Sequence, residues 1–313
     1  MKYHSRILLL LFVGASVFLG FLVLFASTAS RDLEYSSRAQ RRHKLCVLVP
    51  FRDRWEELLV FIPHLSSFLT NQGVFAKFLV INQSDSLRFN RASLINVGFA
   101  ESPSDCDYFA IHDVDLIPLN SQITYNYPNQ GPLHLTSPGL HPKYDYPTFF
   151  GGILLITKED FIKVNGMSNN YWGWGLEDDE FRARIIDADL APQKQSNILT
   201  GKDDTFEHLH FREERTSRDM ANCYNQKDVT HYRDRKGGLN TIDYSVKHRR
   251  DMSVDSSYFT LIDAVLKCDK SKTPWCSCMD ASEINRKFKV DDDRRKDLIL
   301  PKIPKKRLKK KNF

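Results

Sequence analysis

Residues 171–180 contain the densest group of side chains that could carry out chemistry: two tryptophans spaced by glycines, followed by four consecutive acidic residues. A tryptophan face is a common seat for a sugar ring, and glycine lets backbone approach a ligand closely. A carboxylate can accept the hydrogen bond of a sugar hydroxyl and take its proton. The alternative is structural, because Glu177, Asp178 and Asp179 would also suit the positive N-terminal end of a helix through residues 181–186. The two interpretations are compatible, and the motif predicts sugar binding or catalysis.

Two further groups of residues could hold a divalent cation. Asp113 and Asp115 follow an apolar run, and such a pair at a strand end can bind Mg²⁺ or Mn²⁺, which in turn binds a diphosphate. His208 and His210 are two residues apart, so on a strand their imidazoles face the same way and could meet at one ion. Each pair alone is weak, since such strings are common on surfaces. Together with the acidic motif they predict a metal-assisted transferase, and the mixed ligands favour Mn²⁺.

Arginine and aromatic residues near the predicted strand ends could bind a nucleotide. Arg52, Arg54 and Arg91 have the planar donors that recognise phosphate or a base edge, although each alone is more typical of a surface charge. Phe51 and Phe89 could stack on a nucleobase, although an aromatic residue beside a strand end more often belongs to the core.

The elements that must position these residues alternate between strand and helix. Strand, helix, strand order predicts an α/β fold with a mostly parallel sheet, in which ligands bind beyond the carboxyl ends of the strands. Pro63 should kink or interrupt the first helix, and the charged residues 212–236 are typical of a mobile loop. The predicted strands are residues 45–49, 76–81, 108–111, 151–156 and 207–211, and the predicted helices are residues 55–69, 91–100, 158–164 and 177–188.

Composition divides the 313 residues into an anchor, a globular body and a basic tail. Residues 7–26 carry no charge and would span about 30 Å as a helix, which matches the hydrocarbon core of a bilayer. Lys2 and Arg6 precede this run, so the N-terminus should stay cytoplasmic and the rest should be luminal, although a cleavable signal peptide is the alternative. The predicted divisions are 1–6 cytoplasmic tail, 7–26 transmembrane anchor, 27–44 luminal stem, 45–285 catalytic domain and 286–313 basic tail.

The net charge of +6 comes from that C-terminal tail, which leaves the body close to neutral. A nucleic-acid-binding body should instead carry its basic residues on the fold, so we expect no nucleic-acid partner. The tail itself suggests a solvated end or a contact with acidic glycans.

Six cysteines suit the oxidising lumen of the secretory pathway. Zinc is the alternative for the C-terminal cluster, but the spacing of Cys276 and Cys278 is too short for a usual zinc site. We favour disulfides between Cys223 and Cys278 and between Cys268 and Cys276, although a sequence does not determine connectivity.

Taken together, these motifs resemble the β-1,4-galactosyltransferase family over roughly residues 45–278. Within the family, the short stem, the two histidines and the TPWC string resemble the branch that transfers galactose to xylose on proteoglycan core proteins. The matching strings are 49–54 (VPFRDR), 80–83 (VINQ), 89–91 (FNR), 96–99 (NVGF), 112–116 (HDVDL), 151–152 (GG), 172–175 (WGWG), 177–179 (EDD), 238–240 (GLN) and, for the branch, 208–210 (HLH) and 273–276 (TPWC).

The resemblance implies a GT-A fold, Mn²⁺ as cofactor, UDP-galactose as donor, a xylosylated proteoglycan core protein as acceptor and a Golgi membrane location. It implies that Asp178 is the catalytic base and that residues 212–236 close as a lid. The implied donor-binding residues are Pro50, Phe51, Arg52, Arg54, Phe89, Arg91, Val114, Asp115 and Trp174. The implied acceptor-binding residues are Tyr144, Tyr146, Trp174, Leu176, Glu177, Asp178 and Asp179. The implied metal ligands are Asp115, His208 and His210.

Two alternatives to the xylose-transferring enzyme remain at this stage. The same fold could act on N-acetylglucosamine, because acceptor choice depends on the shape of the pocket. A catalytically silent glycan-binding membrane protein is the other. One departure concerns the donor: Phe149 and Phe150 stand where the family usually has a tyrosine whose hydroxyl helps to select galactose.

Overall fold

The sheet at the centre of the fold is organised around β1 (Leu45–Phe51), in which all seven residues are buried. In this computed structural model, which describes residues 43–210, 219–278 and 281–295, β1 runs parallel to two neighbours. These are β2 (Ala76–Gln83) and β3 (Tyr108–His112). The linking helices are α1 (Trp55–Asn71) and α2 (Arg91–Ala100), so the predicted strand–helix alternation is confirmed.

Antiparallel strands extend this parallel centre at both edges. The strand order is β7-β5-β6-β3-β1-β2-β10-β9, with β10 parallel to β2 and antiparallel to β9, and with β6 antiparallel to β3. The remaining elements are β4 (Leu116–Pro118), β5 (Leu133–His134), β6 (Ile153–Thr157), α3 (Lys158–Lys163), α4 (Glu177–Asp187), β7 (Gln193–Lys194), α5 (Gly201–Asp204), β8 (Phe206–His208), α6 (Gln226–Val229), β9 (Tyr244–Val254), β10 (Ser257–Leu266), α7 (Ala281–Ile284), α8 (Asp292–Arg295) and the 3₁₀ turns Leu239–Thr241 and Pro274–Cys276.

Apolar cores cover both faces of the sheet, because successive strand residues point to opposite sides. Cys46 and Leu48 of β1 join the core that contains α2 and α4. Val47 and Val49 join the core that contains α1. This arrangement leaves the carboxyl ends of β1, β2 and β3 at one edge, where the predicted site residues follow the strands.

Helix α1 continues through Pro63, although the sequence predicted a kink or a break there. Proline removes one backbone bond, to the carbonyl of Leu59. Leu59 lies on the exposed side of the helix, where water can satisfy that carbonyl. In α2, by contrast, the sequence prediction of residues 91–100 is confirmed, and the Asn90 side chain caps the helix by accepting from the Ser93 amide at 2.9 Å.

Three disulfides close the fold. The predicted pairs Cys223–Cys278 and Cys268–Cys276 are confirmed. A third bond joins Cys46 of β1 to Cys106, which lies just before β3. The sequence placed these two cysteines beside apolar strands, but their pairing depends on the strands being neighbours in the sheet.

The second half of the predicted mobile loop is packed onto the domain. In residues 219–236, Cys223, Val229 and Arg233 are almost fully buried. The disulfide from Cys223 holds this segment against the domain. The high charge of the segment predicted a mobile loop, and for residues 219–236 the structure differs from that prediction. Residues 211–218 lie outside the described part of the chain.

Other differences follow from tertiary pairing. The strand predicted at residues 207–211 is only Phe206–His208, and the long hairpin of β9 and β10 was not predicted. Phe288, in the predicted basic tail, packs its ring against Trp275 with centroids 5.3 Å apart.

The predicted anchor at residues 7–26 falls outside the described residues. Among the helices that the structure does describe, none is both long enough and apolar enough to cross a membrane.

Candidate active site

Three metal-ligating side chains meet beyond the carboxyl end of β3. Asp115 lies in the turn between β3 and β4, and β8 pairs with β4 so that His208 lies opposite Leu116. The Leu209 amide donates to the Asp115 carbonyl at 2.7 Å, which holds the histidine-bearing segment against this turn. Ligand atoms of Asp115, His208 and His210 all lie within 4.8 Å of one another. The geometry brings together the three metal ligands that the sequence suggested.

The protonation of this group suits a cation. Burial lowers the pKa of His208, and burial together with His208 lowers the pKa of His210. Both imidazoles are therefore neutral near pH 7 and can offer a nitrogen lone pair to a metal ion. Burial and the nearby Asp113 carboxylate raise the pKa of Asp115 to about 6. A positive ion would favour the charged carboxylate. Two neutral imidazoles and one carboxylate fit Mn²⁺.

Asp113 contacts an arginine instead of joining the metal group. Arg91, at the start of α2, donates from Nε to Asp113 Oδ1 at 2.7 Å. Its guanidinium also lies close enough to Asp178 to oppose the rise that burial causes in the pKa of that carboxyl. Arg91 therefore links the metal side of the site to the acidic motif.

The acidic motif forms the first turn of α4, which confirms its structural interpretation as an acidic helix N-terminus. Leu176 precedes the helix in the left-handed conformation, with φ 74°. Burial, followed by the charge of Asp178, raises the pKa of both Glu177 and Asp179 to about 7. Burial also raises the pKa of Asp178, and Arg91 opposes that shift. The first turn thus holds several carboxyl groups that share protons near neutral pH.

Asp178 lies against the glycine pair that precedes β6. A methyl group at Gly151 would come within 2.8 Å of Asp178 Oδ2. Arg91, Gly152 and Phe150 line the same small pocket as these two residues. Only a residue without a side chain leaves room for the carboxylate here.

Aromatic rings form one wall beside the carboxylates. The rings of Tyr144 and Tyr146 lie 5.3 and 5.4 Å from the ring of Phe149. Burial raises the pKa of Tyr146, and the charges of Asp178, Asp179 and Glu177 raise it further. Tyr146 therefore lies close enough to the acidic motif for its charges to act on the phenol.

His141 was not singled out in the sequence. Its ring lies 5.9 Å from that of His208 and 4.9 Å from that of Phe149. Its Nδ1 accepts the amides of Lys143 and Tyr144, at 3.0 and 3.1 Å, which fixes the turn that presents Tyr144. A single histidine in an irregular segment has no sequence signal that would reveal this role.

Among the residues implied for the nucleotide, Arg52 is held by backbone. It donates to the carbonyls of Gln83 and Leu87 at 3.3 and 2.8 Å, and its guanidinium carbon lies 5.8 Å from the centre of the Phe89 ring. Arg54 pairs with Glu57 at 3.4 Å.

Other implied donor residues offer little surface. Phe51 is 1% exposed and packs edge-on against Trp55, so the core interpretation holds for Phe51 in this state. Pro50 and Val114 are also buried.

Trp174 is the exposed aromatic of the motif, with 48% of its surface accessible. Its amide donates to the carbonyl of Asp219 at 3.0 Å, and the amide of Gly173 donates to the carbonyl of Phe89 at 2.8 Å. These bonds fix the backbone that carries the Trp174 ring.

The chain matches known proteins in sequence and in fold. Residues 33–128 match the profile described as the N-terminal region of glycosyl transferase group 7, and residues 131–209 match the N-terminal domain of galactosyltransferase. The chain is 54% identical to β-1,4-galactosyltransferase 7 of Drosophila melanogaster over 75% of this chain and 73% of that protein. It is 45% identical to the xylosylprotein 4-β-galactosyltransferase of Caenorhabditis elegans over 88% of this chain and 99% of that protein.

The chain belongs to the β-1,4-galactosyltransferase family.

A solved member of this family shares the fold. The catalytic domain of Drosophila β-1,4-galactosyltransferase 7, in complex with xylobiose, matches with a TM-score of 0.74 and 53% identity, over 75% of this chain and 99% of that domain. A mutant of the same Drosophila enzyme, in complex with manganese, UDP-Gal and xylobiose, also matches with a TM-score of 0.74. The α/β architecture with its mostly parallel sheet is therefore GT-A-like, as the resemblance implied.

Proposed function

We propose that this protein is an inverting, Mn²⁺-dependent galactosyltransferase that moves galactose from UDP-galactose to the 4-hydroxyl of a β-linked xylose on proteoglycan core proteins. The observation that carries the proposal is the position of Arg91, which pairs with Asp113, two residues before Asp115 of the manganese-type ligand group, and whose charge also acts on Asp178 in a helix turn rich in carboxylates. A donor with a diphosphate needs the first, and a sugar hydroxyl that must lose a proton needs the second.

The solved relative supports the choice of ligands, since its complex holds manganese, UDP-Gal and xylobiose. When bound by Asp115, His208 and His210, Mn²⁺ would supply a Lewis acid that offsets negative charge on the departing UDP. The remaining chemistry belongs to side chains of this protein.

In this proposal the donor lies along the carboxyl ends of β1, β2 and β3. Arg91 is the central cation of this surface and Trp174 its outer boundary. Ligand binding would have to expose more of Phe51 than the present packing does. The proposed donor residues are Pro50, Phe51, Arg52, Arg54, Phe89, Arg91, Val114, Asp115 and Trp174.

The acceptor then lies between the aromatic wall and the first turn of α4. Aromatic faces pack on the apolar face of a sugar ring, and carboxylates orient its hydroxyl groups. Their proximity is supported by the influence of the carboxylates on the pKa of Tyr146. The proposed acceptor residues are Tyr144, Tyr146, Trp174, Leu176, Glu177, Asp178 and Asp179.

Asp178 is the base in the proposed displacement. Its carboxylate accepts the proton of the xylose 4-hydroxyl while that oxygen attacks the anomeric carbon of the α-linked galactose. The bond to UDP breaks on the opposite face, so the product linkage is β. Burial raises the pKa of Asp178, and the positive charge of Arg91 opposes that rise and so favours the charged form of the base.

The location follows the same proposal. Residues 1–6 would be cytoplasmic, residues 7–26 a transmembrane anchor and residues 27–44 a stem, which places the catalytic domain of residues 45–285 in the Golgi lumen as a single-pass type II protein. The remaining basic tail would extend from that domain.

The test is a transfer assay with the full-length chain, UDP-galactose and Mn²⁺. A β-xyloside and an N-acetylglucosaminide are offered side by side, each with and without EDTA. We expect galactose on the xyloside alone, and we expect EDTA to abolish it.

Transfer to N-acetylglucosamine instead would keep the mechanism and overturn the acceptor. Binding of UDP and Mn²⁺ without transfer to either sugar would overturn the proposed function and favour a glycan-binding protein.

A further inference from the structure

Arg88 is a buried cation that neither the metal group nor the acidic motif uses. Its side chain is 9% exposed. Besides Asp219, it donates to the Ala221 and Trp275 carbonyls, both at 3.1 Å, and to the side chain of Gln226. Such a planar donor set, fully occupied by acceptors from distant parts of the chain, is typical of a structural cross-link.

The strongest of these contacts is a bidentate ion pair with Asp219. Arg88 Nε donates to Asp219 Oδ2 at 2.7 Å, and Nη2 donates to Oδ1 at 2.9 Å. The backbone carbonyl of Asp219 in turn accepts the amide of Trp174 at 3.0 Å. Arg88 therefore fixes Asp219, and Asp219 in turn binds the backbone of Trp174.

The segment that carries Trp174 depends on such outside support. Gly173, Gly175 and Leu176 all have positive φ, at 79°, 107° and 74°, so this stretch forms neither helix nor strand of its own. A methyl group at Gly173 would overlap the Arg88 guanidinium. The glycine thus lets the cation lie directly against the backbone that precedes Trp174.

Gln226 closes the same network from the other side. Its side-chain amide donates to the carbonyl of Trp172, while its oxygen accepts from Arg88. Cys223, three residues earlier, is tied by its disulfide to Cys278. The support for the tryptophan segment is consequently anchored to the body of the domain.

We propose that Arg88 and Asp219 are positioning residues that set the place of Trp174 and thereby the affinity for the acceptor. This inference rests on the proposed function, in which Trp174 packs on the acceptor sugar. Neither residue contacts the metal group or Asp178 in the hydrogen bonds and ion pairs described, so the chemical step should be largely unaffected.

The leading variant is Asp219→Ala, because the Asp219 side chain is 36% exposed and its removal leaves the buried Arg88 with its other acceptors. We expect KM for the β-xyloside to rise about tenfold, as for the loss of one charge-assisted pair. We expect kcat to change less than twofold, and we expect the Kd for UDP and Mn²⁺ to rise by less than the KM for the β-xyloside, because Trp174 bounds the donor surface only at its edge. Asp219→Asn, which can still accept one bond, should recover part of the loss.

Asp187→Ala is the matched control. Asp187 pairs with the buried Arg233 and is itself 45% exposed, at the far end of α4. Loss of the Asp187 carboxylate should lower the free energy of unfolding, as in Asp219→Ala. It should leave KM for the β-xyloside unchanged. An equal rise of KM in both variants would assign the effect to general destabilisation and overturn the proposal.

The deciding measurement repeats Asp219→Ala in a Trp174→Ala background. We expect no further rise in KM there, since the supported ring is already gone. Additive effects, or an unchanged KM in Asp219→Ala alone, would overturn the inference.

Hydrogen exchange at the Trp174 amide gives a readout that does not depend on the substrate. Exchange should accelerate in Asp219→Ala and not in Asp187→Ala, even if wild-type protein fails to transfer to xylose. Failure of the proposed function then appears in the wild-type assay, whereas unchanged exchange would contradict the positioning role itself.

Discussion

Asp178 combines two properties that a general base for a sugar hydroxyl needs. It lies on a rigid helix turn, and an arginine limits the rise that burial causes in its pKa. Burial and the charge of Asp178 raise the pKa of each neighbour, Glu177 and Asp179, to about 7. Of the three adjacent carboxyls, Asp178 is thus the one whose pKa shift Arg91 opposes most directly after burial.

Replacement of the base tests this assignment. Asp178→Asn should lower kcat by about 10²–10⁴-fold, the usual contribution of a general base. The fold and the affinity for UDP and Mn²⁺ should remain, because Asn keeps the shape of the side chain. Turnover by purified protein and calorimetric titration with UDP measure the two. Retention of more than about a tenth of the wild-type rate would contradict the role.

The pH profile should reveal the raised pKa of Asp178. The base acts only when deprotonated, and a raised pKa means that this form is lost at a higher pH than the ordinary value of about 3.9 would suggest. At saturating donor and Mn²⁺, kcat/KM should therefore fall on acidification at a higher pH than an ordinary aspartate would produce. The residual activity of Asp178→Asn should lack this fall. A decline that persists in the variant would have to come from other groups, such as the metal-binding histidines.

At the scale of elements, the site depends on how closely the turn before β6 approaches the start of α4. Gly151 leaves only enough room for the Asp178 carboxylate, and Gly152 turns the chain with φ 82° into the strand. The helix direction alone would bring the motif to the sheet edge. The glycine pair determines how closely the Asp178 carboxylate approaches Arg91.

Gly151→Ala should displace the base without unfolding the protein. Its added methyl would lie 2.8 Å from Asp178 Oδ2, and its φ is not in the left-handed region, so backbone strain is absent. We expect kcat to fall about 10²-fold, as for a catalytic group moved by roughly 1 Å. Steady-state kinetics with thermal unfolding as a companion measurement would check this. Full activity in the variant would mean that Asp178 is free to shift without loss.

At the scale of the whole molecule, disulfides join segments that are far apart in the chain. Cys46–Cys106 closes 60 residues and joins β1 to the entry of β3, the two strands whose ends carry much of the site. Cys268–Cys276 closes only 8 residues. Both belong to a fold whose parallel strands require long connections.

Loop length predicts unequal contributions to stability. Replacing Cys46 and Cys106 together by alanine should lower the free energy of unfolding by about 4 kcal/mol, against about 2.5 kcal/mol for Cys268 and Cys276, because a longer closed loop restricts the unfolded chain more. Denaturant unfolding of both double variants measures the difference. A larger loss from the shorter loop would contradict this explanation.

The sequence by itself determined much of this protein. It predicted the alternating elements, since buried parallel strands and amphipathic helices have distinct periodicities. It also pointed to the Asp-x-Asp and His-x-His pairs as possible metal ligands, because ligand type and spacing are local properties, and the family resemblance selected Asp115, His208 and His210 from them. The acidic first turn of α4 was predicted for the same reason.

Only the tertiary structure decided which of these residues act together. Asp113 pairs with Arg91, Phe51 is packed in the core, and His141 supports the tyrosine wall. It also decided that Arg88 reaches Asp219, 131 residues away. Each outcome depends on contacts between distant segments, whose energies are set by burial and close packing and are not encoded in any short stretch of sequence.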